Sequence, residues 1–229
     1  MAPRDFQSRL VRRAAKAGLF PSDDLVTSLT EYYELLARWN RKINLTALSD
    51  PDEAIDRLLL EPLAAARHLP AGTQRIMDIG SGGGSPAIPL KLAAPAVSLT
   101  MVEVKVRKSA FLREAIRHLS LADTHVENGR YEELLARPEL HERYDVLTIR
   151  AVRVQPKTLT SLQAFVRPLG TLMLFRGADG DRETESLIPT LSYERTLPLL
   201  EATNSRLTIL AKRSVGHIAS VPRGTPPVV

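Results

Sequence analysis

Residues 78–86 read Asp78-Ile79-Gly80-Ser81-Gly82-Gly83-Gly84-Ser85-Pro86. Glycine permits positive φ and removes the Cβ that would block a ligand lying on the backbone, so such a run can cradle a ligand through main-chain contacts. It follows the short apolar run RIMDIG (75–80) and precedes AIPLKLAA, a strand–turn–helix pattern. In an open α/β sheet the first strand-to-helix turn is where nucleotide-like ligands bind. The next apolar run, VSLTMVEV (97–104), carries Glu103 near its end. A carboxylate there can accept hydrogen bonds from both ribose hydroxyls. The dinucleotide fingerprint G-x-G-x-x-G needs a third glycine where Ser85 stands. The pattern here is G-x-G-x-G with Asp78 two residues before it, and an acid at that place faces the positive or amine end of a ligand. The alternatives are a dinucleotide site, a purely structural turn, a surface role for Glu103 beside Lys105, and a turn-capping role for Asp78.

This loop resembles motif I of class I S-adenosylmethionine (SAM) methyltransferases, which makes Asp78, Gly80, Gly82, Gly84, Ser85 and Glu103 candidate cofactor contacts. Arg130 and Arg150 are candidate substrate-positioning residues, since arginine lies flat on a base or forks onto phosphate and guanine acceptors. Their plain alternative is an ion pair, Arg130 with Glu132 or Glu133 and Arg150 with a helix acid. Lys105, Arg107, Lys108, Arg113 and Arg117 fall on one predicted helix, either an RNA-backbone grip or a solvated face. Trp39, Tyr32 and Tyr33 have helical spacing and read as core rather than as stacking platforms. No His/Asp/Glu spacing matches a metal site.

The elements that must position these residues alternate. Residues 22–40 predict an amphipathic helix capped by Ser22, and a second helix runs over about 52–68, opened by Asp50-Pro51. After Pro70 the pattern becomes strand 75–80, a helix, strand 97–104, helix 105–118, strand 124–128, strand 144–152, helix 156–167 and strand 170–177. Two strands follow, near 191–199 and 206–213, as an edge hairpin. The expectation is an α/β Rossmann-like, doubly wound, mostly parallel sheet. Its organisation is an N-terminal helical extension (1–68), a methyltransferase domain (69–214) and a flexible tail (215–229).

With 229 residues, 44% hydrophobic and 25% charged, the chain reads as one ordinary globular body. It has no cysteine, which excludes thiolate sites and disulfides and fits a reducing cytoplasm. No apolar run approaches the ~18 residues of a membrane span. The start of the chain lacks a signal peptide's apolar stretch. Residues 1–20 carry a net +4, residues 202–229 another +4, and the rest −3. Basic ends on a slightly acidic body suggest a polyanionic partner, with the N-terminal arm ordering only on RNA contact.

From about residue 25 to 212 the chain resembles the bacterial 16S rRNA guanine-N7 methyltransferase family, RsmG or glucose-inhibited division protein B. The resemblance rests on LLARWNRKINLTAL (35–48), DIGSGGGSPAIPL (78–90), Glu103 with KVRKSAFL (105–112), GRYEEL (129–134) and IRAV (149–152). It implies methyl transfer from SAM to N7 of one guanine in a small-subunit rRNA loop. The expected protein is a cytoplasmic monomer without a metal. The resemblance implies SAM contacts at Gly80, Ser85, Tyr131, Glu132 and Arg150, and places Arg130 beside them as an RNA or active-site arginine. It places Asn40 and Asn44 near the active site, so they join Lys105, Arg107, Lys108 and Arg176 as candidate RNA contacts. The chain departs from the family pattern at Ser85, where a large apolar residue is usual, at Ala87, usually glycine, and at Arg176, usually lysine. The competing functions are a SAM methyltransferase acting on another RNA site and a non-catalytic ribosome-binding factor of the same fold.

Overall fold

The computed structural model describes residues 3–47, 50–150, 155–177 and 188–214. The strands are β1 (Arg75–Ile79), β2 (Ser98–Glu103), β3 (Thr124–Asn128), β4 (Tyr144–Arg150), β5 (Val166–Arg176), β6 (Leu191–Leu200) and β7 (Ser205–Lys212). They form one sheet in the order β3-β2-β1-β4-β5-β7-β6. β1 to β5 pair in parallel, and β7 runs antiparallel to both β5 and β6. This is the doubly wound, mostly parallel sheet expected, with β6 and β7 as the edge hairpin. Chain order reverses between β1 and β4, so a crevice opens at their carboxyl ends. Ala151 and Val152, expected to finish β4, lie outside the described residues, as does the tail from 215 to 229.

The helices are α1 (Pro3–Lys16), α2 (Asp23–Asn40), α3 (Pro51–Ala54), α4 (Glu61–Ala66), α5 (Ala87–Ala93), α6 (Val106–His118), α7 (Tyr131–Leu134) and α8 (Pro156–Leu162). The predicted helix over 156–167 ends early: a 3-10 turn covers Gln163–Phe165 and β5 begins at Val166. Pro168 has no N–H to continue a helix, and Val166 favours extended backbone.

Strand alternation sorts the core into two layers. Ile76, Leu99, Met101, Val146, Met173 and Ile209 face α1, α2, α5, α6 and the helix over 51–66. Met77, Ile79, Leu147, Ile149, Leu172 and Leu174 face α8 and its 3-10 turn. The helices before β1 therefore share one core with the sheet. Asp78, Thr148 and Arg150 have the parity of Ile76 and Val146, so they point toward the N-terminal helices.

The N-terminal arm corrects the expectation of an RNA-ordered segment. It is a helix whose Phe6, Leu10 and Ala14 are buried. Arg13 bonds Asp56 through Nε at 2.8 Å and Asp52 through Nη1 at 2.9 Å, and Arg9 reaches Asp52 at 3.3 Å. Part of the arm's positive charge is thus neutralised within the fold. Leu10→Ala is expected to lower the unfolding free energy by about 2–5 kcal/mol, and the exposed Arg12→Ala by less than about 0.5 kcal/mol. Urea unfolding of the RNA-free protein measures both. Equal, negligible losses would refute the packing.

Candidate active site

The glycine loop leaves β1 and is held by its neighbours. The Val102 carbonyl accepts N–H bonds from Gly80 at 2.9 Å and Ser81 at 3.1 Å. Glu103, buried at the tip of β2, accepts the Gly82 N–H on Oε2 and the Lys105 N–H on Oε1, both at 2.8 Å. The Asn128 amide and the Ser109 hydroxyl bond the Glu103 carbonyl at 2.9 and 3.1 Å and fix that strand end. From the other side the Tyr32 hydroxyl of α2 donates to the Gly83 carbonyl at 2.6 Å. Tyr32 is fully buried, and burial pushes its phenol far above the ordinary range.

The helix over 51–66 supplies the third hold. Asp50 caps it by accepting the Glu53 N–H at 2.8 Å. It is α-helical, then π-helical over Ile55–Leu60, where the Glu61 N–H bonds the Asp56 carbonyl, then α-helical again. The widening sits one turn before Pro62, which has no N–H to give the Leu58 carbonyl and whose ring crowds it. That carbonyl accepts the Ser85 hydroxyl at 2.9 Å. Ser85 Oγ in turn accepts a bond from Arg150 Nη1 at 3.2 Å, and Arg150 Nη2 pairs with Glu61. The guanidinium also lies 5.5 Å from the Phe175 ring centre. Arg150 therefore makes the ion pair with a helix acid that stood as its alternative. Burial lowers its pKa, with Glu61 opposing that shift.

These holds surround a cavity of about 450 Å³. Of the expected site residues, Gly80, Gly82, Ser85, Glu103, Lys108 and Arg150 line it. Leu36, Leu45, Thr46, Ala47, Arg57, Leu58, Ser81 and Gly83 line it too; Ser81 and Gly83 belong to the loop singled out from sequence, and none of the eight was named individually as a site residue. Lys108, expected among the RNA contacts, has its ammonium about 4.0 Å from where a Gly82 Cβ would stand.

Other candidates stand elsewhere. Gly84 is buried at φ +89, and a Cβ there would meet Ile88 Cδ1 at 2.5 Å and Leu112 Cδ2 at 3.3 Å. It allows the loop to pack on α5 and α6 and does not line the cavity. Asp78 is buried behind the loop at 1% exposure; its Oδ1 accepts the Thr148 hydroxyl, and its Oδ2 has no partner. Asn40 turns its amide inward: Oδ1 accepts the Leu45 and Thr46 N–H groups at 2.8 and 3.0 Å, and Nδ2 donates to the Thr46 carbonyl at 3.1 Å. It thereby shapes the segment that brings Leu45 to Ala47 onto the cavity wall. Asn44 is exposed on that segment. Arg130, Tyr131 and Glu132 follow β3, beyond β2 from the crevice, and do not line it; Arg130 and Glu132 are exposed, while Tyr131 packs on the second core. Lys105 and Arg107 are exposed at the start of α6, Arg113 donates to the Val126 carbonyl at 3.4 Å, and Arg117 pairs with Glu114. Arg176 ends β5 opposite Arg206, off the cavity wall. Tyr33 stacks on Phe6 and Trp39 meets Phe111 edge-on, the packing expected of them.

Tyr32 and Glu61 are the principal residues that sequence reasoning missed. Tyr32 was read as core, which it is, without its hydroxyl's bond. Glu61 carried a signal: it is an acid inside the apolar run LLLEPLAAA. Among the described residues no group of three or more His, Cys, Asp or Glu could hold a metal ion.

A side-chain-poor loop after β1, an acid closing β2 and a crevice at the reversal of strand order define a class I methyltransferase fold and site. An O-methyltransferase from Bacillus cereus, solved in complex with SAH, superposes with a TM-score of 0.63 at 16% identity, covering 92% of this chain and 100% of that one. A variant of MtNAS in complex with S-adenosylmethionine gives 0.56 at 14% identity, covering 82% and 72%. At such identities the likeness is one of fold. The family described as GidB, rRNA small subunit methyltransferase G, matches residues 25–208. Ribosomal RNA small subunit methyltransferase G of Xylella fastidiosa (strain 9a5c) is 38% identical over 174 residues, 76% of this chain and 79% of its own. The chain belongs to the rRNA small subunit methyltransferase G family.

Burial pushes the Asp78 carboxyl up to about 6 from 3.8, with the Ser81 and Thr148 hydrogen bonds and the Arg150 charge opposing it. Between those two pH values the folded chain holds a proton that the unfolded chain lacks. Stability therefore falls as pH rises through this window, and the full cost, about 3 kcal/mol, is present above it. Asp78→Asn, which keeps an acceptor for Thr148, is expected to raise ligand-free stability above pH 6 by roughly 1–3 kcal/mol and to change it little below pH 3.8. Denaturant unfolding across that pH range checks the sign. A loss of stability above pH 6 would contradict it.

Proposed function

We propose that this protein transfers the methyl group of SAM to N7 of a guanine in small-subunit (16S) rRNA. The observation that carries the reading is the glycine loop bonded to Glu103 beside an open cavity, in a chain of this family. The residues present suit the cofactor. Gly80, Gly82 and Gly83 offer backbone without side chains, and Glu103 keeps lone pairs for a ribose diol. Asp78 Oδ2 beneath the loop is an unpartnered acceptor suited to an amine.

When bound, SAM supplies an electrophilic sulfonium methyl. Guanine N7 has a lone pair and no proton. As the N7–carbon bond forms, the carbon–sulfur bond breaks with its electron pair going to sulfur; the positive charge passes to the purine and no proton moves. The chain therefore needs no general base, and its work is alignment and exclusion of water. Leu36, Leu45 and Leu58 supply an apolar wall for that purpose. The base must leave its stack to reach the cavity, which favours a loop or single strand. Asn44, Lys105, Arg107, Arg130 and Arg176 stand off the cavity wall and suit contacts to the flanking RNA. Tyr131 and Glu132 are proposed to border the cofactor beyond Glu103. Residues 69–214 form the methyltransferase unit, and residues 1–68 complete its cavity. The protein is proposed to act as a monomer in the cytoplasm. Ser85 and Arg176 are the departures that would favour a non-catalytic factor; Ser85 keeps a hydroxyl bonded to the Leu58 carbonyl and to Arg150 at the cavity wall.

The test is incubation with methyl-labelled SAM and small subunits lacking the modification, followed by digestion to nucleosides. Label is expected in 7-methylguanosine; SAM binding without label in any rRNA nucleoside would overturn the reading. Glu103→Ala is expected to weaken SAM at least tenfold, by loss of a charge-assisted hydrogen-bond acceptor. Arg130→Ala is expected to lower kcat/KM for the subunit while leaving SAM affinity within about twofold, the signature of an RNA contact.

A further inference from the structure

The cavity wall carries three cations, Arg57, Lys108 and Arg150, and one carboxylate, Glu103. Two more carboxylates stand behind the wall, Asp78 and Glu61, both about 1% exposed. Arg57 is bonded by Glu53 at 2.8 Å on the exposed side. Lys108 has no ion pair or hydrogen bond among the described residues and is half-exposed, where water screens it. Arg150 differs: it is largely buried, so its charge would act on the cavity at low dielectric unless a partner cancelled it. Its ion-pair partner among the described residues is Glu61, buried at the start of α4, whose other carboxylate oxygen has no hydrogen-bond partner.

A SAM methyltransferase must hold a net positive charge at every stage. The charge begins on sulfur, is shared in the transition state and ends on the methylated purine. A bare guanidinium beside that path would oppose both cofactor binding and transfer. We infer that Glu61 is a positioning and charge-cancelling residue: it fixes Arg150 at the cavity wall as a hydrogen-bond donor and removes the net charge that would repel the sulfonium. The geometry has three parts. Arg150 Nη2 is taken by Glu61, Nη1 is directed to Ser85, and Ser85 is fixed by the Leu58 carbonyl. All three holds come from or pass through the helix over 51–66, and the π-turn brings Leu58 and Glu61 to bear together. The inference rests on the proposed methyltransferase reading.

The test compares SAM with S-adenosylhomocysteine, which keeps the adenosine and amino-acid ends but is a neutral thioether. Binding of each is measured by calorimetry to the full chain. In Glu61→Gln, the amide can still accept from Arg150 but the negative charge is gone. SAM is expected to weaken severalfold or more relative to S-adenosylhomocysteine, since only SAM carries the charge that the lost carboxylate attracted. Glu61→Asp is expected to restore most of the ratio. Arg150→Gln, which leaves Glu61 uncancelled, is expected to move the ratio the opposite way, in favour of SAM, and serves if Glu61→Gln does not fold. Equal weakening of both ligands in every variant would reduce Glu61 to a structural acid and overturn the inference. Failure of the unaltered protein to bind either ligand would instead overturn the cofactor reading itself.

Discussion

A loop of glycines has almost no side chains with which to hold its own shape, and this constraint organises the rest of the molecule. The freedom that lets a ligand approach its backbone also lets it wander, so its conformation must be imposed from outside. The fold imposes it from three directions: the Glu103 carboxylate holds Gly82, the Tyr32 hydroxyl holds Gly83, and the Leu58 carbonyl holds Ser85. The two neutral bonds contribute only about 1 kcal/mol net each and the one to the Glu103 carboxylate about 1.5–3 kcal/mol. Together they fix successive stretches of the loop with little entropy left to lose on binding.

Two of those holds come from residues before the sheet begins. The N-terminal helices share their hydrophobic core with β1, β2, β4, β5 and β7, and Arg13 ties α1 to the helix over 51–66. Strand parity then does the rest. Because Asp78, Thr148 and Arg150 point to the helical layer, a buried acid on α4 can meet the arginine at the tip of β4. The same parity leaves Asp78 buried with one oxygen unpartnered, so part of the site's chemistry is held at a cost in stability.

The strands, most helix starts and the glycine loop were legible in the sequence, because apolar period, Ser22 and Asp50 caps and the glycine run are local signals. The end of α8 was misjudged because Val166 and Pro168 outweighed the apolar spacing. The N-terminal arm was misread from its charge: its stripe of Phe6, Leu10 and Ala14 decided the outcome instead. The site was legible at positions that stand at strand ends, such as Gly80, Glu103 and Arg150. It was not legible where a residue contributes through a partner distant in sequence. Nothing local in Tyr32 says that its hydroxyl meets Gly83, fifty-one residues on. Gly84, identical in type to its neighbours, serves helix packing because of its φ and the nearness of Ile88, which only the fold reveals.

The bond between Ser85 and the Leu58 carbonyl makes two segments distant in sequence a single mechanical unit. Pro62 has no N–H for that carbonyl and Ser85 supplies a hydroxyl to it, so losing the hydroxyl removes a donor from the carbonyl and an acceptor from Arg150. An apolar residue at position 85 would bring no hydroxyl to that carbonyl or to Arg150. A change on either segment at this point is therefore felt on the other, because the Leu58 carbonyl that seats the loop is carried by the helix over 51–66.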